Sequence, residues 1–131
     1  TISIMNENKD IIEVGFQKDV RPYLSISNAL VFPTYREGFP NVVLQACAMG
    51  LPAIVTDING CNEIIMEGKN GTIIAPKDID ALTNAMQKFL EEKERWQDAN
   101  SYRKTIVDRF QQEIVWNALL AEYKTLEAHV C

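Results

Sequence analysis

At 131 residues the chain is long enough for one domain with its own hydrophobic core and too short for two of ordinary size. Hydrophobic residues at 47% and charged residues at 24% fit a soluble globular protein and exclude a disordered or fibrous one. The net charge of −5, with no run of Lys or Arg, argues against nucleic acid as a main partner, because that affinity rests on cations at the phosphates.

The first apolar run, Ile11–Phe16, reads as a strand from its β-branched and aromatic residues. Asp19 then caps a helix through Val20, Tyr23, Leu24 and Ile26, with Pro22 in its first turn. Ala29–Phe32 is the second strand. Pro40 opens a helix over Asn41–Met49, which Gly50 and Pro52 stop. Ala53–Thr56 is the third strand, Asn62–Glu67 a helix of one or two turns ended by Gly68, and Thr72–Ala75 the fourth strand. Strands alternating with helical crossovers predict an α/β fold, half of a Rossmann-like parallel sheet with helices on both faces. The nearly continuous apolar strands agree, since parallel strands are buried on both sides.

Beyond Ala75 the pattern is helical. Asp78 caps a helix whose Leu82, Met86, Phe89, Leu90 and Trp96 recur at helical spacing. A second stretch covers about Ala99–Phe110. A third, about Glu113–Ala128, carries Val115, Trp116, Leu119, Leu120, Tyr123 and Leu126 at three- and four-residue steps. The expected organisation is one domain over 1–131, with a strand–helix core over about 11–97 and C-terminal helices over about 98–128.

No apolar stretch approaches the roughly 20 residues that span a bilayer, and Thr1–Asp10 lacks the basic and apolar regions of a signal peptide. Cys47, Cys61 and Cys131 lie far apart with no Cys/His ligand spacing, so neither a disulfide framework nor a metal site is expected. A reduced, cytoplasmic setting fits them, and Cys47, in the apolar run Ala46–Met49, reads as a small core residue.

Ligands of an open parallel sheet bind beyond the carboxyl ends of its strands. Two loops leave such ends here, Pro33–Asn41 and Asp57–Glu63. The helix after the first loop is apolar almost all round and must be buried, yet Asn41 and Gln45 stand one turn apart on one face, with Glu37 about a turn before them. Two readings stay open. A sugar hydroxyl or phosphate could sit on the free N–H groups around Gly38–Asn41, at the positive end of the helix dipole. Alternatively, Glu37 merely favours a helix start and Gln45 serves a neighbouring loop. The second loop, with its Asp-x-Asn-Gly turn signal, brings Glu63 to a short helix; a purely structural turn is the competing reading.

The segment Glu37-Gly-Phe-Pro-Asn-Val-Val-Leu-Gln45, continued through Ala-Cys-Ala-Met-Gly-Leu-Pro-Ala-Ile-Val-Thr-Asp57, closely resembles the donor-site motif of family-4 (group 1) glycosyltransferases. The resemblance continues in Asn59-Gly60-Cys61-Asn62-Glu63-Ile64-Ile65 and Gly68–Gly71, and upstream in Val14-Gly15-Phe16 with Asp19-Val20. It implies the C-terminal half of a two-domain GT-B enzyme that binds an NDP-sugar and transfers a hexosyl or N-acetylhexosaminyl group with retention, using no cofactor and no essential metal. It makes Glu37 the catalytic carboxylate at the donor sugar and Gly38, Phe39, Pro40 and Asn41 the lining of the sugar hydroxyls. Position 45 becomes the ribose contact, and Asn59, Gly60 and Glu63 complete the donor-binding set. The family usually has Glu at that ribose position. Gln45 still offers a carbonyl acceptor, with an NH₂ in place of the second carboxylate oxygen. The family's diphosphate-binding basic pair lies upstream of Ile11–Phe16, where Lys9 is the one basic residue; Lys18 and Arg36 are candidate substitutes or solvated surface charges.

The implied partners are the nucleotide-sugar donor and an acceptor-binding N-terminal domain of the same protein, which this chain lacks. The implied setting is polysaccharide or glycolipid assembly, cytoplasmic or peripheral at the cytosolic membrane face. The excised domain is expected to fold without catalysing. Its last helix, which in this family crosses to the N-terminal domain, is expected to dock on its own domain or pair with a second copy. Half of a nucleotide-sugar 2-epimerase and a non-catalytic nucleotide-sugar-binding module are the competing functions.

Overall fold

The computed structural model describes residues 7–130, so Cys131 and the first six residues lie outside it. Three short strands, β1 (Leu30–Phe32), β2 (Ala53–Thr56) and β3 (Gly71–Ile74), form a parallel sheet in the order β1-β2-β3. The register sets Leu30 beside Ala53 and Ala53 beside Gly71. A parallel neighbour requires a crossover, and the crossovers are α2 (Asn41–Ala48) between β1 and β2 and α3 (Cys61–Ile64) between β2 and β3. Helix α1 (Arg21–Ile26) precedes β1; α4 (Ile79–Glu91), a 3₁₀ turn (Lys93–Trp96), α5 (Ala99–Phe110) and α6 (Gln112–Val130) follow β3.

The two faces of the sheet are covered differently. Helices α2, α3 and α5 pack on one side, and α4 lies against β2 and β3 on the other. All four residues of β2 are buried, as the central strand of a parallel sheet demands. The main core joins Val43 and Cys47 of α2, Ala53 and Val55 of β2, Cys61 and Ile64 of α3, and Ile106 of α5. Full burial of a Val, Leu or Ile side chain contributes about 1.5–3 kcal/mol, so these residues dominate the fold's stability. Two glycines set the closest approaches. A Cβ on Gly71 would lie 2.0 Å from the Ala53 carbonyl oxygen, and one on Gly50 2.6 Å from the Ala99 Cβ, where α5 begins against the end of α2.

The expected strand at Ile11–Phe16 is absent. This stretch has no ladder partner, its hydrogen bonds are local, and Phe16 is 95% exposed. Strand propensity measures how well side chains suit a half-buried pleated surface, and no such surface is offered to them here. Gly15, at φ +61°, also breaks the extended run. The first crossover is also displaced by one residue: Val20 is the N-cap of α1, while Asp19 accepts hydrogen bonds from the Arg21 amide and guanidinium.

Other boundaries move less. The helix expected over Asn62–Glu67 is a single turn, because Ile65 turns extended at ψ 131° to lead into the next connection. The Asp78 cap is present, its carboxylate accepting from the Ala81 amide at 2.8 Å. The core runs on past 97, since Tyr102 and Ile106 of α5 are buried. Helix α6 does not dock on its own domain: Trp116, Leu119, Leu120 and Tyr123 are all more than half exposed. Among the described residues no helix is long and apolar enough to cross a membrane.

Candidate functional site

The loops after β1 and β2 meet at the carboxyl ends of the strands, and glycine makes the meeting close. Gly60 stands at φ +79°, ψ −46°, and a Cβ there would come within 2.3 Å of the Gly38 carbonyl oxygen and 2.9 Å of Phe39 Cα and Pro40 Cδ. The second loop is therefore seated directly on the backbone of Gly38–Pro40. The Gly60 N–H donates to Glu63 Oε1 at 3.2 Å, and Asn62 Nδ2 donates to Asp57 Oδ1 at 2.9 Å, so this loop closes on itself. Gly38 faces outward, with nothing within 4 Å of where a Cβ would be.

Behind the loops the fold supplies braces. The buried Thr56 hydroxyl at the end of β2 donates to the Thr34 carbonyl, and Thr34 Oγ1 donates to Glu37 Oε1 at 3.3 Å. Glu37 is half-buried near the start of α3, close enough for its carboxylate to matter to Cys61. Burial first, and that carboxylate second, push the Cys61 thiol up from its ordinary value. The end of α5 contributes two further contacts. Phe110 meets Phe39 edge-on with ring centroids 5.5 Å apart, and the Arg109 guanidinium donates to the carbonyls of Glu63 and Ile64.

Helix α2 begins without a side-chain cap, because Pro40 stands at its N-cap and has none to give. The amides of Gly38 and Phe39 before it, and of Asn41 and Val42 in its first turn, have no acceptor among the described residues. Such donors at a helix start carry the positive end of the dipole and suit a phosphate or hydroxyl oxygen. The side chains of Asn41 and Gln45 are exposed one turn apart on α2 and make no hydrogen bond within the described structure, and Asn59 is likewise exposed. Glu37 and Gln45 both lie outside the packed core. Among the described residues no three His, Cys, Asp or Glu side chains converge as a metal site.

Sequence reasoning named both loops but missed their braces. Thr34 and Thr56 carry no motif, and Phe110 and Arg109 lie far along the chain; only tertiary packing brings them here. Cys47 is fully buried, and burial pushes its thiol up to about 12, which matches the core role read for it.

The three-stranded parallel sheet with its flanking helices is a Rossmann-like arrangement of the kind found in GT-B glycosyltransferases. Residues 3–92 match the family profile of the glycosyl transferases group 1, and the chain belongs to that family. CapM of Staphylococcus aureus, a capsular polysaccharide biosynthesis glycosyltransferase, is 29% identical over 92% of this chain, which corresponds to 32% of that protein. Sucrose-phosphate synthase from Thermosynechococcus elongatus superposes with a TM-score of 0.85 and 27% identity over 98% of this chain and 33% of its own. HepE from Anabaena, solved in complex with UDP-glucose, shares the fold at a TM-score of 0.79 and 21% identity, over 95% of this chain and 34% of that one. The chain thus spans about a third of the length of the relatives it matches, the size of one domain.

Proposed function

We propose that this chain is the donor-binding domain of a retaining glycosyltransferase that takes an NDP-sugar and works in polysaccharide or glycolipid assembly. The observation that carries the reading is the uncapped start of α2. Four amides without acceptors, those of Gly38, Phe39, Asn41 and Val42, stand beside the outward face of Gly38 and below the seated Gly60 loop. A hydroxyl-rich, phosphate-bearing ligand satisfies such donors, and the UDP-glucose bound to the HepE neighbour is a ligand of that kind. The family membership and the capsular polysaccharide relative agree with it.

On this reading Glu37 lies against the donor sugar, held in orientation by Thr34. Gly38–Asn41 line the sugar hydroxyls, and Gln45, a turn along α2, takes the ribose. Asn59, Gly60 and Glu63 close the site from the second loop. No metal or cofactor is assigned a role. The acceptor is held by a separate N-terminal domain, so the chain alone binds donor without turning it over. Catalysis needs the acceptor within bonding distance, and positioning supplies much of an enzyme's rate. The setting is the cytoplasm or the cytosolic membrane face. Titration of the ¹⁵N-labelled chain with a panel of NDP-sugars tests the assignment. The amides of Gly38, Phe39, Asn41 and Gln45 are expected to shift together and saturably. Saturable shifts confined to another part of the surface would refute it.

A further inference from the structure

A cavity opens at the carboxyl ends of the strands, on the α4 side of the sheet, and the donor reading leaves it unused. It has a volume of about 120 Å³ and is walled by Pro33 after β1, Thr56 at the end of β2, Ile74 at the end of β3 and Leu82 of α4. Its base is firm. Thr56 is tied to the Thr34 carbonyl, and the Asp57 amide donates to the Ile74 carbonyl at 2.7 Å.

Two side chains at its mouth give it a chemical character. Tyr35 presents its ring 67% exposed, and the Lys77 ammonium stands 6.0 Å from that ring's centroid. Among the described residues Lys77 has no carboxylate within ion-pair reach; the adjacent Asp78, which also lines the cavity, turns one carboxylate oxygen to the Ala81 amide as the cap of α4. Lys77 also holds φ +64°, the one non-glycine residue with positive φ among those described. Glycine or asparagine would occupy that backbone more cheaply, so a lysine there is a cation kept at a conformational cost. The walls ask for apolar contact and the ammonium for an anion. A bare anion would leave the walls wet, and a neutral apolar molecule would desolvate the ammonium without a partner. A sugar ring can lay its C–H face on the aromatic ring while a phosphate on it reaches the cation.

We propose that this cavity is a second saccharide site, selective for a sugar carrying a phosphate group, and distinct from the donor contacts assigned to Gly38–Gln45. The donor and a phosphate-linked acceptor both offer that chemistry, and the test separates them. The labelled chain is titrated with glucose 1-phosphate, inorganic phosphate and methyl glucoside, each with and without saturating UDP. Glucose 1-phosphate is expected to shift the amides of Tyr35, Lys77 and Ile79 saturably, at least fivefold more tightly than either fragment and undisturbed by UDP. Lys77→Gly relieves the left-handed backbone, so it should fold, and it should weaken the sugar phosphate at least tenfold. Tyr35→Ala should weaken it while leaving inorganic phosphate unchanged. Displacement by UDP would assign the chemistry to the donor and overturn the proposal. So would equal affinity for phosphate alone, an unchanged affinity in Lys77→Gly, or no saturable shift. The donor reading is scored separately, by the response of Gly38–Gln45 to UDP.

Discussion

Gly60→Ala tests whether the two loops form one unit. The added methyl meets two costs. A left-handed backbone costs an L-residue about 1–2 kcal/mol, and crowding a packed junction costs about 1–3 kcal/mol. The contacts at 2.3 and 2.9 Å are to the backbone of Gly38 and Phe39 and to the ring of Pro40, none of which is the far end of a flexible side chain. Together the loss is about 2–5 kcal/mol, a large part of the ~5–15 kcal/mol that holds a domain of this kind. Gly15→Ala is the control, because Gly15 has φ +61° with nothing within 4 Å. It meets the conformational cost alone, with no packing cost, and should lose no more than about 1–2 kcal/mol. Urea unfolding of both variants reads the difference. Because the displaced atoms belong to the candidate donor site, Gly60→Ala should also weaken NDP-sugar binding roughly tenfold or more, about 1.4 kcal/mol. Equal stability of the two variants, with donor binding intact in both, would refute the seating of one loop on the other.

In a full-length enzyme containing this domain, Glu37→Gln should lower transfer more than tenfold, whereas Gln45→Ala should act chiefly on donor affinity, as steady-state kinetics would separate. The chain alone should show no glycosyl transfer with any NDP-sugar. Its α6 face should pair with a second copy, so sedimentation should find a dimer that Leu119→Lys with Tyr123→Lys returns to monomer. The Asp19 carboxyl is held at about 2, first by the Arg21 side chain and then by the Arg21 amide. A depressed folded value stabilises above the unfolded pKa of about 3.9 and is lost as pH falls toward about 2. Arg21→Gln should raise the Asp19 midpoint in an NMR titration. Cys47, its thiol at about 12 inside the core, should resist iodoacetamide at pH 8 until the chain is unfolded.

The sequence by itself determined the elements whose information is local. The Asp78 cap, the stop at Gly50 and Pro52, and the buried run Ala53–Thr56 each follow from a few neighbouring residues, and all stand where expected. The Glu37–Gln45 segment was legible for the same reason, since its residues lie on one loop and the two turns of helix that follow. Tertiary structure alone decided whether a strand-like segment becomes a strand. Ile11–Phe16 has the composition but no neighbour to complete its hydrogen bonds, and ladder pairing is a property of two segments. It also decided that α5 belongs to the core while α6 does not, although both carry apolar residues at helical spacing. Periodicity states which face a helix would bury and is silent on whether a surface is there to receive it. The braces of the site, Thr56 on Thr34 and Phe110 on Phe39, and the cavity between Tyr35 and Lys77 join residues tens of positions apart. Contacts of that range exist only after the sheet has closed, because no local preference brings their partners together.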